Sequence, residues 1–593
     1  MRRRNNRLLA ALAGLLAVIS LAGSARAATP PEWESLAGEI AQPWPGLMDA
    51  RGRYPDYVQG TEPLYPPPVL GYALIQTGLR TNRAELIDTG LRTLNAAVRD
   101  IPGDNENGVF HLFAVASAYN LARARLAGNA LFSEHRAEWE RWLKKAPLRF
   151  LPHTHHYANK YMVEAVAMLE LRRTHLRSRV KGSALAGGRR TELLARRLVN
   201  SVAPRAASAA GTEFSGGAAF VLSDPSNNAL AYHALSFGFY ARAIELLGPG
   251  ASPQARRALQ GVARASWGLQ GPDGDLSYIG RSQGMAWTLS LSAYGAEVAA
   301  AGGAGWGPRF RAVSDQAIRR LAARYGNGPS GLWITPSRDR GQAQAGRALD
   351  SYATGPSYTG LTLVGLNWAI EHAERHEHAV GLLAAEANGA RRLSSPRTQF
   401  TVVRSGASWF AVRTSRSFAA RDLRYDNGLV ALKRPAPDGG WVDVVRPRPH
   451  TTSGFDSAGP VLLGSPRGRA LPDAERADVD EGGTVTLRGG YRTRDGHWLR
   501  RGVSFRYGPV PCGVTMVLPR RPTDRLAYSV WFTSAPTRQG ATLTGPDATV
   551  TAGPAFSVRL RDGGGSAVDG KLVRAELRFR AGRGPVRITI CGR

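Results

Sequence analysis

The chain has 593 residues, of which 77 are Lys or Arg, 46 are Asp or Glu and 2 are Cys. A single hydrophobic core stops growing at roughly 250–300 residues, so this length argues against one compact domain. Apolar content of 43% and charged content of 21% exclude a wholly disordered or collagen-like chain. Two cysteines exclude a disulfide scaffold or a multi-cysteine metal framework, and the net charge of +31 indicates an anionic partner.

Residues 1–27 have the features of an export signal. A basic start precedes the apolar run 8–21, and Ala25-Arg26-Ala27 supplies the small residues before a cleavage site. The apolar run is shorter than the ~20 residues of a membrane span. We therefore expect a secreted protein with no stable membrane insertion. Removing the segment and its five arginines lowers the net charge from +31 to +26. The arginines are Arg2, Arg3, Arg4, Arg7 and Arg26.

Export bears on the two cysteines and on the anionic partner. In an oxidising compartment Cys512 and Cys591 could form a disulfide. The basic residues are almost all arginine, which a GC-rich genome's codon bias can produce, and they form no dense run or nucleic-acid-binding motif. We expect no nucleic-acid partner and favour an extracellular acidic polymer, bound by a monomer.

The apolar pattern is helical from about residue 66 to residue 383. Many mid-length helices joined by loops, without a strand signal, predict stacked helical hairpins arranged as an (α/α) toroid or a solenoid. The predicted helices are 66–79, 82–97, 109–126, 133–143, 157–173, 191–202, 227–247, 253–267, 283–301, 309–325 and 360–376.

The pattern changes to short alternating strands after about residue 394. Their spacing, with Pro and Gly between them, predicts an antiparallel β-sandwich. We therefore expect a signal peptide at 1–27, a helical domain at 28–390 and a β-sandwich domain at 391–593. The predicted strands are 398–404, 408–414, 484–488, 504–507, 513–518, 527–532, 556–560 and 572–579.

Three segments carry residues that could do chemistry. The first, 153–164, places several polar side chains at the start of a helix. It could be a solvent-exposed helix start, a metal site or the rim of an active site. Zinc sites usually need i, i+4 or dispersed ligands, which this spacing does not offer. Its candidate residues are His155, His156, Tyr157, Asn159, Lys160 and Glu164.

The other two segments lie before later helices. Tyr232 and His233 sit about one turn into a helix that follows Asp224-Pro225, with Asn228 in between. They could be a buried Tyr beside a rim His, or a proton-transferring pair at a cleft. The third segment is the Gly- and Asp-rich stretch 271–284, which lacks the glycine spacing and lysine of a phosphate loop.

Stretch 271–284 could hold turn residues, calcium ligands or a carboxylate-binding arginine. Asp273 and Asp275 are the acids in it, although calcium loops usually carry more carboxylates. Arg281 lies near Tyr278, and a guanidinium can bind a substrate carboxylate through two parallel hydrogen bonds. Gln283 and, further on, the loop residue Trp333 complete the candidate substrate contacts.

On these features the chain resembles polysaccharide lyases of the toroid-plus-β-sandwich superfamily, which includes chondroitin AC lyase, hyaluronate lyase and the heparinase II/III-like enzymes. Leu230-Ala-Tyr232-His233 is similar to the Tyr-His pair that carries the catalytic Tyr in heparinase-like members. Gly280-Arg281-Ser282 is similar to the segment whose Arg assists that Tyr. Asn159 falls where these families place an Asn that neutralises the uronate carboxylate.

The sequence also departs from this family pattern. It lacks the aromatic Asn-Trp-Trp segment, and Ser223 stands where chondroitin AC-like enzymes keep a His nine residues before the Tyr. The resemblance therefore leaves the base open between Tyr232 and a histidine from His155 or His156.

The resemblance implies β-elimination on a uronate-containing polysaccharide, without metal or cofactor. Asn159, or a neighbouring His, would neutralise the carboxylate and stabilise the enolate-like intermediate. Arg281 would favour the tyrosinate form of Tyr232, which would take the C5 proton, and Tyr232 or His233 would return a proton to O4.

Two other classes remain open on the residues alone. An (α/α)-barrel glycoside hydrolase would need two carboxylates about 5–10 Å apart, for which the loop acids Glu213, Asp224, Asp273 and Asp275 could serve. A non-catalytic polysaccharide-binding protein of the cell wall would bind a polymer without cutting it.

Overall fold

A computed structural model describes the greater part of the chain after residue 29. Its structural features are given for the following residues: 30–56, 58, 68–100, 108–146, 158–185, 189–204, 212–214, 217–222, 230–279, 282–303, 305–328, 330–337, 354–376, 380–394, 398–415, 427–445, 459–465, 468–493, 495–566 and 568–593. The signal peptide predicted at 1–27 lies outside them.

Helices fill the first two thirds of the described chain, and each predicted helix overlaps one of them. The segment 30–47 forms two further helices that the pattern did not predict. The helices are α1 Pro30–Ala41, α2 Trp44–Leu47, α3 Pro68–Arg80, α4 Ala84–Asp100, α5 Gly108–Arg125, α6 Ala130–Lys145, α7 Ala158–Arg173, α8 Arg189–Arg197, α9 Leu230–Leu247, α10 Pro253–Leu269, α11 Ala286–Gly302, α12 Gly307–Tyr325 and α13 Gly355–Ala373.

Six of these helices form an inner ring: α3, α5, α7, α9, α11 and α13. Each contacts the next, and α13 contacts α3. The helices α4, α6, α8, α10 and α12 lie outside the ring against them. Inner helices such as α11 and α13 are buried on nearly every side, which is why their sequences lack a polar face. The predicted fold class, a helical toroid followed by antiparallel sheets, is confirmed.

The inner helices run in the same direction because an outer helix returns the chain between them. Their first turns meet at one end, which we call the ring mouth. There the rings of Trp287 in α11 and Tyr358 in α13 lie 6.0 Å apart. A Cβ on Gly360 in α13 would lie 2.6 Å from the backbone nitrogen of Leu70 in α3.

Towards the opposite end, partly buried polar side chains link the inner helices. Glu245 of α9 accepts a hydrogen bond from Tyr294 of α11, and its Oε1 lies 2.9 Å from Nδ1 of His372 in α13. Arg242 of α9 contacts Glu170 of α7 at 3.4 Å. Burial alone would raise the pKa of Glu245, but His372 and Arg242 lower it to about 2. The charges are therefore paired within the ring.

Strands make up the rest of the chain and form two main antiparallel sheets. One has the order β3-β4-β5-β6-β7, and the other has twelve strands, β14-β15-β16-β19-β12-β11-β10-β9-β8-β13-β18-β17. The strands are β1 Thr212–Phe214, β2 Gly217–Ala219, β3 Gly389–Ser394, β4 Thr398–Ser405, β5 Ser408–Ser415, β6 Gly428–Pro435, β7 Trp441–Val445, β8 Val461–Ser465, β9 Gly468–Val479, β10 Val485–Thr493, β11 Trp498–Val510, β12 Gly513–Leu518, β13 Arg525–Phe532, β14 Thr537–Gln539, β15 Thr542–Thr544, β16 Ala548–Gly553, β17 Phe556–Ser566, β18 Gly570–Phe579 and β19 Val586–Gly592.

The five-stranded sheet is apolar on both faces. In β5, Trp409 and Ala411 pack against the helical domain, while Phe410 and Val412 pack against the twelve-stranded sheet. Successive side chains of a strand point to opposite faces, so this uninterrupted apolar run serves two cores. The sheet is thus the middle layer between the helical ring and the outer sheet.

A buried ion-pair network fastens the middle sheet to the helical domain. The ammonium of Lys433 in β6 lies 2.7 Å from Asp273, in the loop after α10, and 2.5 Å from Asp443 in β7. Arg320 of α12 pairs with the same Asp273 and lies 3.5 Å from Asp275. Burial alone would raise the pKa of Asp273, but Arg320 and Lys433 hold it well below its usual range. Asp273 is therefore held as a carboxylate between two cations.

The two cysteines, whose pairing the sequence left open, are bonded. The Cα atoms of Cys512 and Cys591 lie 4.8 Å apart. The bond ties the start of β12 to β19, its neighbour in the large sheet. Over the described part of the chain, no helix combines the length and the apolar character needed to cross a bilayer.

Replacing Lys433 by Ala should lower the free energy of unfolding by about 3 kcal/mol, because it leaves buried carboxylates without their cation. The measurement is urea unfolding followed by tryptophan fluorescence. The matched control, Lys571→Ala, removes an exposed lysine of β18 and should change stability by less than about 0.5 kcal/mol. Equal stability of the two variants would contradict the role assigned to Lys433.

Candidate functional site

Three inner helices begin at the ring mouth. The first turns of α9, α11 and α13 meet there, with the Trp287 ring 6.4 Å from the Tyr232 ring and 6.0 Å from the Tyr358 ring. Their first backbone N–H groups are bonded within the protein, to Ile279 O, Ile334 O and Asp56 Oδ1. What these helices offer an anionic ligand is therefore the positive ends of their dipoles.

Tyr232 lies half-buried in the first turn of α9, where its hydroxyl is held by a neighbouring turn. Ser282 Oγ donates to Tyr232 Oη at 3.3 Å. Ser282 adopts φ of 60°, a left-handed conformation rare for residues with a side chain. Such strain persists where surrounding contacts enforce it.

Two hydrogen bonds fix the turn that carries Ser282. Gly284 N–H donates to Ser277 Oγ at 3.1 Å, and Tyr325 Oη donates to Gly284 O at 3.0 Å. Gln283 lies between them and is half-buried. The turn therefore holds Ser282 against the Tyr232 hydroxyl in a defined geometry.

Trp333 lies beside the same turn. Its backbone N–H donates to Tyr325 O at 2.8 Å, and its side chain is half-buried. Because Tyr325 bonds to Gly284 as well, Trp333 is linked through Tyr325 to the turn that holds Tyr232.

Asn159 and Lys160 occupy the first turn of α7, the corresponding position in another inner helix. Asn159 is 8% exposed, and its Oδ1 accepts the N–H of Lys160 at 2.6 Å. The side-chain amide group of an Asn is a double donor, which suits a carboxylate oxygen. Glu164, one turn further on, is fully buried in α7.

His233 has a setting different from the one its predicted role needs. It is fully buried; Nδ1 accepts the N–H of Leu222 at 3.1 Å, and Nε2 lies 3.0 Å from Ser266 Oγ. Nδ1 is an acceptor, so the proton of the neutral ring lies on Nε2 and points to Ser266. Burial lowers the pKa of His233 to about 3. The imidazole therefore positions the chain before α9, and proton return to O4 does not fit it.

Tyr278 is likewise a core residue instead of the predicted substrate contact. It is 1% exposed, and its ring packs edge-on against Trp409 of the middle sheet with centroids 5.5 Å apart. Burial raises its pKa well above the usual value. In the sequence, Tyr278 is an aromatic residue within a polar loop, and no local feature indicates that a sheet covers this loop.

The acids Asp273 and Asp275 are occupied by cations of the domain junction. Asp273 pairs with Lys433 and Arg320, and Asp275 Oδ1 accepts the N–H of Ser277 at 2.8 Å. Side chains already neutralised by buried cations fit neither a calcium site nor the carboxyl pair of a hydrolase.

The remaining candidate side chains are not described. Glu213 lies in β1, but its side chain is outside the described set. The other candidates, as whole residues, lie outside the described ranges: His155, His156, Tyr157, Asp224, Asn228 and Arg281.

Sequence reasoning missed contributors from the first turns of the other inner helices. Trp287 and Tyr358 form the aromatic contacts of the mouth, and His111 is buried in the first turn of α5, where burial lowers its pKa to about 4. Asp56 Oδ1 accepts the first N–H of α13, from Gly355, at 2.9 Å. A usable signal was an aromatic or polar residue at the second to fourth position of α5, α7, α9, α11 and α13, namely His111, Asn159, Tyr232, Trp287 and Tyr358.

Comparison with known proteins yields similarities of fold. No protein-family model matches the chain, and no curated protein matches it in sequence. A heparinase III structure is similar over 88% of this chain and 77% of its own, with 9% identity and a TM-score of 0.42. At these values the similarity describes the arrangement of helices and strands and nothing finer.

Two further structures are similar over a shorter part of the chain. A protein named as a polysaccharide lyase covers 59% of this chain and 99% of its own, with 11% identity and a TM-score of 0.36. A possible member of the GH105 family from Salmonella enterica serovar Paratyphi A covers 58% and 95%, with 12% identity and a TM-score of 0.38.

His233→Gln should reduce the amount of stability that the protein loses as the pH falls. A histidine whose folded pKa is lowered to about 3 stabilises the fold above its unfolded pKa of 6.5, and this contribution is lost as the pH falls from about 6.5 towards 3. The slope is at most about 1.4 kcal/mol per pH unit. Urea midpoints between pH 7 and pH 4 measure it.

The control for that experiment is His497→Gln, which alters an exposed histidine of the large sheet, 58% accessible. It controls for the effect of exchanging His for Gln at an exposed position. Identical pH profiles of His233→Gln and the unmodified protein would show that His233 is not held neutral by burial.

Proposed function

We propose that the protein is a secreted polysaccharide lyase that cleaves an acidic, uronate-containing polysaccharide by β-elimination at the ring mouth. The observation that carries the proposal is the Tyr232 hydroxyl, held by Ser282 at 3.3 Å where the inner helices begin. The reaction removes the C5 proton of a uronate, breaks the bond from C4 to the glycosidic oxygen, forms a C4=C5 double bond and delivers a proton to the departing oxygen.

Tyr232 is the proposed base and acid. A phenol with the ordinary pKa of ~10 is a weak base at neutral pH, so the site must favour the phenolate. The Ser282 hydroxyl donates to the phenol oxygen, and the first turn of α9 adds its positive end. Arg281 precedes Ser282 in the chain and would add a full positive charge. The proton taken from C5 then lies next to the leaving oxygen and can be returned to it.

Asn159 is the proposed partner of the uronate carboxylate. Withdrawal of charge from this group is needed because a C5 proton is only weakly acidic, and donors aimed at the developing enolate lower the barrier. Asn159 and Lys160 lie in the first turn of α7, a start of an inner helix like that of Tyr232. An amide donor, an ammonium and the helix end would act together on the carboxylate.

The lyase is favoured over a hydrolase that would use Asp273 and Asp275 as its carboxyl pair. A hydrolase needs one protonated and one ionised carboxyl facing the sugar. Asp273 is instead bound to Lys433 at 2.7 Å and to Arg320, on the side of the loop that faces the middle sheet. These acids support the attachment of the sheet, which leaves Tyr232 as the better supported proton carrier.

Secretion is part of the proposal. The features of residues 1–27 support export, and the Cys512–Cys591 bond is of the kind that persists in oxidising compartments. A net charge of +26 after removal of the signal would draw a polyanion towards the protein.

Tyr232→Phe should lower the release of unsaturated oligosaccharides by about 10²–10⁴-fold, because it removes the group that transfers the proton. Ultraviolet absorbance of the new C=C bond measures the product. The matched control is Tyr119→Phe, which should keep the activity. Tyr119 lies in the second half of α5, and its phenol bonds to Glu140 at 2.8 Å. Full activity of a folded Tyr232→Phe protein would sink the assignment.

A substrate panel separates the lyase from the other classes. Hyaluronan, chondroitin, heparin, alginate and pectate should include at least one polymer that yields ultraviolet-absorbing products in the presence of a chelator. Chain scission with new reducing ends but no absorbance would instead identify a hydrolase. Binding without scission of any polymer would identify a carbohydrate-binding protein.

A further inference from the structure

A cluster of tryptophan and arginine side chains lies outside the ring mouth, on the outer layer of helices. Trp267 in the last turn of α10 and Trp306 just before α12 pack edge to face, with centroids 5.3 Å apart. We call these two residues and the three arginines stacked on them the tryptophan–arginine surface. The arginines are Arg264, Arg309 and Arg391.

The stacking fixes the guanidinium groups in a row. Arg309 lies over both indoles, 4.8 Å from Trp306 and 5.8 Å from Trp267. Arg264 lies 5.4 Å from Trp306, and Arg391, from strand β3, lies 5.4 Å from Trp267. The row therefore bridges the helical domain and the middle sheet, and the planar groups lose little further freedom when they bind a ligand.

These arginines have no acidic partner within the described part of the chain. None of the ion pairs found there includes Arg264, Arg309 or Arg391, although Arg264 donates to the carbonyl of Ala218 at 2.7 Å. Burial lowers the pKa of Arg264 and of Arg391, and no carboxylate offsets it. Positive charge is thus concentrated at a place where the described residues supply no counter-charge.

A second arginine–tryptophan stack provides a contrast. In the large sheet, Arg492 and Arg501 lie over Trp498, at 4.2 and 5.1 Å. There Arg492 also pairs with Asp473 at 3.2 Å, and the adjacent Arg500 pairs with Asp524. Stacking on an indole therefore does not by itself leave arginines without acids, and the tryptophan–arginine surface differs in lacking them.

The surface is open to solvent. Arg309 is exposed, and both tryptophans are half-buried. The indole N–H of Trp267 donates to the carbonyl of Leu382 at 3.0 Å, and Leu382 itself is 70% exposed. An apolar side chain at the rim of a cationic row suits a ligand that presents both carboxylates and the apolar faces of sugar rings.

We propose that the tryptophan–arginine surface is a second binding site for an acidic polysaccharide, which holds a polymer on the outer wall while another part of it occupies the ring mouth. This inference rests on the proposed function in that the polymer is taken to be the substrate. Guanidinium groups bind carboxylates through parallel hydrogen bonds, and three of them stacked on two neighbouring indoles present such donors side by side to a polyuronate. A linked pair of sites raises the effective concentration of polymer at the mouth.

The test measures binding apart from catalysis, in the Tyr232→Phe background so that the polymer stays intact. The double variant Arg309→Ala/Arg391→Ala is compared with Arg476→Ala/Arg488→Ala, which removes two exposed arginines that are already paired with Asp478. Both lose two positive charges. The probes are immobilised hyaluronan, alginate and heparin, neutral dextran, and vesicles containing phosphatidylserine.

Binding to at least one acidic polysaccharide should fall about tenfold in Arg309→Ala/Arg391→Ala and stay within about twofold in the control pair. Dextran should not bind. An equal fall in both pairs, or no binding to any acidic polymer, would overturn the proposal, as would binding to vesicles in the absence of polymer binding.

Turnover separates this inference from the proposed function. In the protein with Tyr232 intact, Arg309→Ala/Arg391→Ala should lower the cleavage of polymer and leave the cleavage of short soluble oligosaccharides unchanged. Loss of cleavage of both the polymer and the short oligosaccharides would contradict the proposal that this surface is a binding site separate from the mouth. If no lyase activity is found but the arginine pair still controls polymer binding, the proposed function fails and the binding surface stands.

Discussion

The molecule depends on one buried ammonium group. Lys433 lies between Asp273 and Asp443, and through Asp273 it is joined to Arg320. A charge of this kind is costly to bury unless its partners are in place, so the middle sheet can dock in only one register against the loop after α10. The same loop leads to Ser282, which contacts Tyr232. Docking of the sheet and shaping of the ring mouth are therefore consequences of the same contacts.

Much of the architecture could be predicted from the sequence, because periodicity reports burial along a helix or strand. The inner helices were found although they are apolar on all sides, since their length and flanking turns distinguish them from strands. Segment 30–47 was missed because it follows the signal directly. The strands β3, β6, β7, β8, β9, β14, β15, β16 and β19 were not predicted either. Of these, β14 and β15 have only three residues, whereas the longer β9 contains a proline and several charged residues that hide its alternation. Which strands belong to which of the two sheets could not be predicted, because this depends on contacts between distant parts of the chain.

The site was less accessible to sequence reasoning. Tyr232 and Asn159 lie at the ring mouth. Their position near the start of a predicted helix was the signal in the sequence. His233, the next residue after Tyr232, has its ring nitrogens engaged by Leu222 and Ser266, and nothing in the local pattern distinguishes the two. Tyr278 and Asp273 lie in a loop that appears polar and exposed. Their partners, Trp409 and Lys433, are more than 100 residues away, and only the folded structure brings these residues together.

The polar network around Glu245, at the far end of the ring, has a consequence for where a polymer would be held. Arg242, Tyr294 and His372 fill that end with paired groups, and separating them would expose unpaired charge to the interior. These groups are thus engaged with one another. Under the proposed function, contacts to a polymer would therefore come from the ring mouth, and the far end would serve to brace the ring.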